Sequence, residues 1–142
     1  MKNLMLAFLF MPLVAMAGPN QRWINQSILT NGVAGNATVT SNGTFINSYQ
    51  EVALQAACTG TATGSISVQV SNDHVAINSI PGQNPAANVV NWITYTGSSQ
   101  SVSCPTAVGW DLPLTGYSWV RLLYLKTNGT GVLNELINAK VP

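Results

Sequence analysis

Residues 51–72 read EVALQAACTGTATGSISVQVSN, and their alternation decides the fold class. In the second half Ile66, Val68 and Val70 share one side of an extended chain, while Ser65, Ser67, Gln69 and Ser71 share the other. Successive side chains of a strand point to opposite faces, so the pattern predicts a strand with one buried face and one wet face. In the first half Val52, Leu54 and Ala56 take the inner positions. The intervening TGTATG supplies a short turn, and the two runs read as an antiparallel hairpin.

The same period of two recurs on both sides, with β-branched residues between Gly, Asn and Pro punctuation and no helical stripe anywhere. Strands are expected at Trp23–Leu29, Ala37–Thr40 with a continuation at Thr44–Asn47, Glu51–Cys58, Gly64–Ser71, Val89–Tyr95, Gln100–Cys104, Trp119–Lys126 and Gly131–Ala139. Residues 78–88 (NSIPGQNPAAN) and 105–117 (PTAVGWDLPLTGY) carry prolines and glycine and read as exposed connections. About eight short strands at this spacing predict an all-β domain of two packed antiparallel sheets, an immunoglobulin-like or jelly-roll sandwich. A closed barrel is the alternative.

Residues 1–17, MKNLMLAFLFMPLVAMA, have the form of a secretory signal peptide: an early lysine, an apolar core and small residues at Ala15 and Ala17. That core is shorter than the roughly 20 residues of a spanning helix, and no cysteine follows Ala17 to take a lipid anchor. Residues 18–142 are then expected to form one exported domain without a transmembrane segment, periplasmic, on the cell surface or extracellular. Its charges are few: Arg22, Arg121, Lys126 and Lys140 against Glu51, Asp73, Asp111 and Glu135. Such a surface has no basic patch for nucleic acid or anionic lipid and tolerates self-association. In an oxidising compartment Cys58 and Cys104 are expected to pair. The long loop they close suggests a stabilisation of roughly 4 kcal/mol.

The closing stretch, Arg121 to Ile137 (RLLYLKTNGTGVLNELI), contains a glycine-rich KTNGTG. A phosphate-cradling loop needs its lysine after the glycines and a helix behind it. Here the lysine comes first, and Asn128-Gly129 between two apolar runs predicts a hairpin turn, with Arg121 and Lys126 facing solvent. His74, beside Asp73 in SNDHV, reads as part of an exposed turn, since no nucleophile-elbow serine accompanies it. The four carboxylates show no grouping for acid–base work or calcium, and Glu51 and Glu135 are expected to face outward from strands. Two cysteines and one histidine make a poor zinc site. No catalytic residue, metal or cofactor is therefore assigned. Among the aromatic residues Trp110, in the loop GWDLP, is the candidate for an exposed face that stacks on a sugar ring.

Three successions, RWINQSIL (22–29), TGTATGSISVQVSND (59–73) and YSWVRLLYLKTNGTGVLNELINAK (117–140), resemble small virion-associated β-sandwich proteins of bacteriophages and marine viruses. The resemblance implies a structural or receptor-binding role without catalysis or cofactor, and it carries over no functional residue. The signal peptide departs from it, because phage virion proteins generally assemble in the cytoplasm. The expected function is a non-enzymatic secreted or surface module, a structural subunit or adhesin. Its partners would be copies of itself, other particle or surface proteins, or a cell-surface glycan. A carbohydrate-binding module and a secreted hydrolase are the alternatives.

Overall fold

The computed structural model describes residues 23–33, 38–47, 49, 51–73, 89–113 and 116–140. The signal peptide expected at 1–17 and the turn residue His74 lie outside the described residues. Ten strands are present among the described residues: β1 (Trp23–Val33), β2 (Thr38–Thr40), β3 (Thr44–Phe45), β4 (Glu51–Gly60), β5 (Thr63–Ser71), β6 (Ile93–Thr94), β7 (Gln100–Ser103), β8 (Thr106–Leu112), β9 (Trp119–Asn128) and β10 (Gly131–Lys140). They form two antiparallel sheets. The first has the order β1-β10-β4-β8; the second has β2-β9-β5-β6, with β3 also on β9 and β7 also on β5. The all-β sandwich expected from the alternation is the observed class.

The pairing differs from the expected hairpins. β4 and β5 belong to different sheets, and so do β9 and β10. Each reversal is an arch that carries the chain across the core instead of back along the same sheet. The two arches lie side by side, because Gly131 pairs with Gly60 and Thr63 with Asn128. Thr61 N–H donates to the Thr130 carbonyl at 2.8 Å. Gly129 has φ +76°, and a Cβ there would come within 2.1 Å of the Thr61 carbonyl oxygen. Glycine is thus required both for the backbone angle and for the close approach of the second arch. Asn-Gly supplies a reversal, as the sequence indicates, but the residues flanking it pack across the core.

Arching places the inner faces of β4 and β5 opposite one another. Ile66, Val68, Val70, Val120, Leu122 and Tyr124 from the second sheet are fully enclosed, against Leu54, Leu133 and Ile137 from the first. Full burial of each such aliphatic side chain contributes about 1.5–3 kcal/mol. At the arch end the Cys58–Cys104 disulfide joins β4 to the chain just after β7, with the Cα atoms 5.4 Å apart. It staples one sheet to the other, and it is the pairing expected of the two cysteines.

Both flanks of the second sheet are interrupted, and a buried serine fills each break. Between β2 and β3, Ser41 N–H donates to the Leu122 carbonyl at 3.0 Å, and Ser41 Oγ accepts from Leu122 N–H at 2.9 Å. Between β6 and β7, Ser98 Oγ accepts from Val68 N–H at 3.1 Å and donates to the Tyr95 carbonyl at 2.7 Å. The Ser98 hydroxyl both accepts and donates, and the Ser41 hydroxyl accepts while its amide donates, so each serine replaces a lost strand partner and the central strands keep these backbone groups paired.

Two further expectations are corrected. Residues 106–112, read as a loop, form β8, which pairs along β4 from Val52↔Leu112 to Cys58↔Thr106. The strand expected over Val89–Tyr95 shrinks to the two residues of β6, because Val90 and Asn91 turn around Asp73.

Candidate functional site

Asp73 follows β5, the strand whose outer residues are Gln69 and Ser71. Its amide donates to Ser71 Oγ at 3.0 Å, which fixes the turn. The amides of Val90 and Asn91 donate to Asp73 Oδ2 at 2.7 and 2.8 Å. Asn91 Nδ2 donates to Oδ1 at 2.7 Å. The Asn91 amide, then the Asn91 side chain, then the Val90 amide hold the Asp73 carboxyl below its ordinary pKa, because each donor favours the charged form. The carboxylate is therefore a clamp on a segment 17 residues downstream.

Behind this clamp the outer face of the second sheet carries a small core of its own. Trp119 is enclosed with Val89, and Phe45 and Trp92 pack against them. Trp119 has the opposite parity to Val120, Leu122 and Tyr124, so it faces outward from the main core, yet it is covered. Its Nε1 donates to the Asp73 carbonyl at 3.1 Å, and Phe45 meets it edge to face at 5.2 Å. Trp92 Nε1 donates to the Val89 carbonyl at 2.9 Å. The Arg121 guanidinium lies 4.2 Å from the centroid of the Trp92 ring, while Arg121 Nε donates to Gln69 Oε1 at 2.8 Å. Arg121 is accordingly half-buried instead of simply solvent-facing, and burial lowers its pKa. The same covering explains why Ser71, expected on a wet face, is buried.

The product of this scaffold is an exposed apolar edge. Val90 is 76% exposed and Ile93 56% exposed, on either side of the anchored Trp92. Large aliphatic groups held outward by a clamp and a stacked tryptophan cost solvation without serving the core. Asp73 and Asn91 are 18 residues apart, so their joint action leaves no local signal in the sequence.

Trp110, the candidate sugar platform, is enclosed. It lies on β8 with 7% exposure, and Nε1 donates to the Ser98 carbonyl at 2.6 Å. The misreading of β8 as a loop placed this side chain outside; as a strand residue paired with Leu54 it points into the sandwich. Its ring faces are used in packing and offer no stacking surface.

The carboxylates divide among different tasks. Asp73 is the clamp, and Asp111 lies on β8 of the other sheet. Glu51 and Asp111, with Leu112 and Pro113, line an open depression of 420 Å³, where Lys140 Nζ approaches Glu51 Oε1 at 3.5 Å. Glu135, expected to face outward, instead faces the core beside Leu133 and Ile137 and is fully enclosed. Neither of its oxygens has a hydrogen-bond partner, and burial pushes its pKa up to about 7. No group of three or more metal-ligating side chains converges among the described residues. No helix among them is long and apolar enough to cross a membrane.

No family model matches the chain, and no curated protein matches it. Solved structures match the chain at low identity, two of them as follows. One is the SPBc2 prophage-derived protein YomS, with a TM-score of 0.49 and 8% identity over 84% of this chain and 96% of that one. The other is the Yersinia pseudotuberculosis-derived mitogen, with a TM-score of 0.33 and 16% identity over 87% of each chain.

Proposed function

We propose that the mature chain is an exported, non-enzymatic β-sandwich that acts as a structural subunit or adhesion module of a phage-like particle, fibre or cell surface. The observation that carries this reading is the outward presentation of Val90 and Ile93 on a segment fixed by Asp73 and by the Arg121–Trp92 stack. Interfaces draw their affinity from a few well-supported apolar anchors inside a polar surround. The near-neutral, Asn-, Ser- and Thr-rich sequence supplies such a surround. The disulfide between the sheets is compatible with an oxidising compartment. Trp110, once the basis of the carbohydrate-binding alternative, is occupied in the core.

The test is to measure, with the purified disulfide-bonded mature protein, its sedimentation across a concentration series and its retention on envelope and culture fractions. Self-association or specific retention is the expected result. A strict monomer that binds no sister protein, particle or surface overturns the proposal.

A further inference from the structure

Glu135 occupies the middle of β10, with β1 on one side and β4 on the other. On the β4 side the ladder is regular, and Glu135 pairs with Ala56. On the β1 side it is not: Glu135 pairs with Leu29, and the register shifts both between Ser27 and Leu29 and between Leu29 and Gly32. The one carboxyl with no exposure and no hydrogen-bond partner thus stands beside the doubly bulged stretch of an edge strand. A buried carboxyl without a counter-charge is tolerated as the neutral acid and strongly disfavoured as the anion.

Among the described residues no charged group is placed to compensate it. β1 and residues 34–43, which include β2 and Ser41, contain no titratable side chain. On β4 the titratable group is Glu51, exposed at the far end and facing Lys140 of β10. On β9, Arg121 is stacked on Trp92 on the outer face, Lys126 is half-exposed near the arch, and Tyr124 gives its hydroxyl proton to the Thr63 carbonyl at 3.1 Å. Burial dominates the environment of Glu135, and the Ser41 hydroxyl offsets it in part. That hydroxyl already accepts from Leu122 N–H and lies outside hydrogen-bonding geometry with either carboxyl oxygen.

We propose that Glu135 is a proton-operated latch on the seam between β1 and β10. As the neutral acid it lets β1 close the first sheet; as the anion it draws water in at the bulged stretch and releases β1 from β10. The direction follows from linkage. A carboxyl whose folded pKa is raised retains its proton in the folded state after the unfolded chain has lost it. Closure is therefore strongest below the unfolded value of about 4.5 and weakens as pH rises to about 7. Within that window the equilibrium shifts toward the open form by roughly tenfold per pH unit, and above it the slope vanishes.

Two readouts on the full disulfide-bonded protein test the latch. Carbon-13 NMR of the side-chain carboxyls should show one glutamate titrating near pH 7 and a second, Glu51, identified by its loss in E51Q. If both titrate together in the ordinary carboxylate range, the latch is refuted. Hydrogen exchange should show the amides of residues 23–33 losing protection through the same pH range, beyond the intrinsic base dependence of exchange and ahead of β4 and β9. In E135Q that excess should vanish. Unchanged protection of β1 across the titration, or a uniform loss over all strands, contradicts the latch. The two wild-type measurements decide the matter even if E135Q does not fold.

Discussion

Thr61 and Thr130 tie the two chain reversals to each other: Thr61 N–H donates to the Thr130 carbonyl at 2.8 Å, and Thr130 N–H approaches Thr61 Oγ1 at 3.4 Å. This contact converts two local turns into one end of the sandwich, because each arch supplies the polar partners that the other leaves open. The chain can then exchange sheets twice at the same place without burying an unpaired backbone group there.

Gly129→Ala tests the stacked arches. Positive φ and the contact with the Thr61 carbonyl both oppose a methyl group, so the loss should reach about 3 kcal/mol, the upper end of the range for local backbone strain. Urea unfolding checks it. If Gly129 acted only in an isolated hairpin turn, the cost would stay near about 1 kcal/mol.

Reducing the Cys58–Cys104 bond, or replacing both residues with alanine, removes the staple between the sheets. With a sequence separation of 46, the expected loss is about 4 kcal/mol. Denaturation with and without reductant measures it. An unchanged midpoint would mean that the sheets are held together without the bond.

Trp110→Ala should cost about 3–5 kcal/mol as a large cavity opens in the core. Trp110→Phe isolates the indole bond to the Ser98 carbonyl, and leaving that carbonyl unpaired should cost about 1–3 kcal/mol. Calorimetry on the pair separates packing from hydrogen bonding. A Trp110→Ala protein of undiminished stability would restore the exposed platform that its burial excludes.

Asp73→Ala should release residues 89–92. The Val90 and Asn91 amides lose their acceptor, and their hydrogen exchange should accelerate while β4 and β9 remain protected. In the wild type the Asp73 pKa is lowered, so its stabilisation is present above the unfolded value and disappears as pH falls through the folded one. Exchange at these two amides should rise in acid relative to the acid-independent strands. Equal protection at all pH values would show that the clamp is not needed.

What the sequence made legible was parity. In β4 and β5 the alternation correctly separated Val52, Leu54, Ala56, Ile66, Val68 and Val70 from their outward neighbours. Pairing was not legible, because Asn128-Gly129 provides the same positive φ to an arch as to a hairpin. The difference is made by Thr61, which lies 69 residues from its partner Thr130. β8 was hidden by Pro105, Gly109 and Pro113, which suit an edge strand as well as a loop. Glu135 shows a conflict in the opposite sense: it shares parity with Leu133 and Ile137, while the expectation that carboxylates face water argued against its true position. The clamp at Asp73 depends on tertiary proximity alone, and so does the exposed edge it supports.

The most direct measurement of the functional account is the binding behaviour of the V90S/I93S double variant. Both side chains are mainly solvated, so the fold and thermal midpoint should be unchanged. Sedimentation and retention on envelope fractions should fall by at least roughly tenfold, the loss expected for an apolar anchor contributing about 1.4 kcal/mol. Undiminished association by a folded double variant would contradict the assignment of this edge as the docking surface.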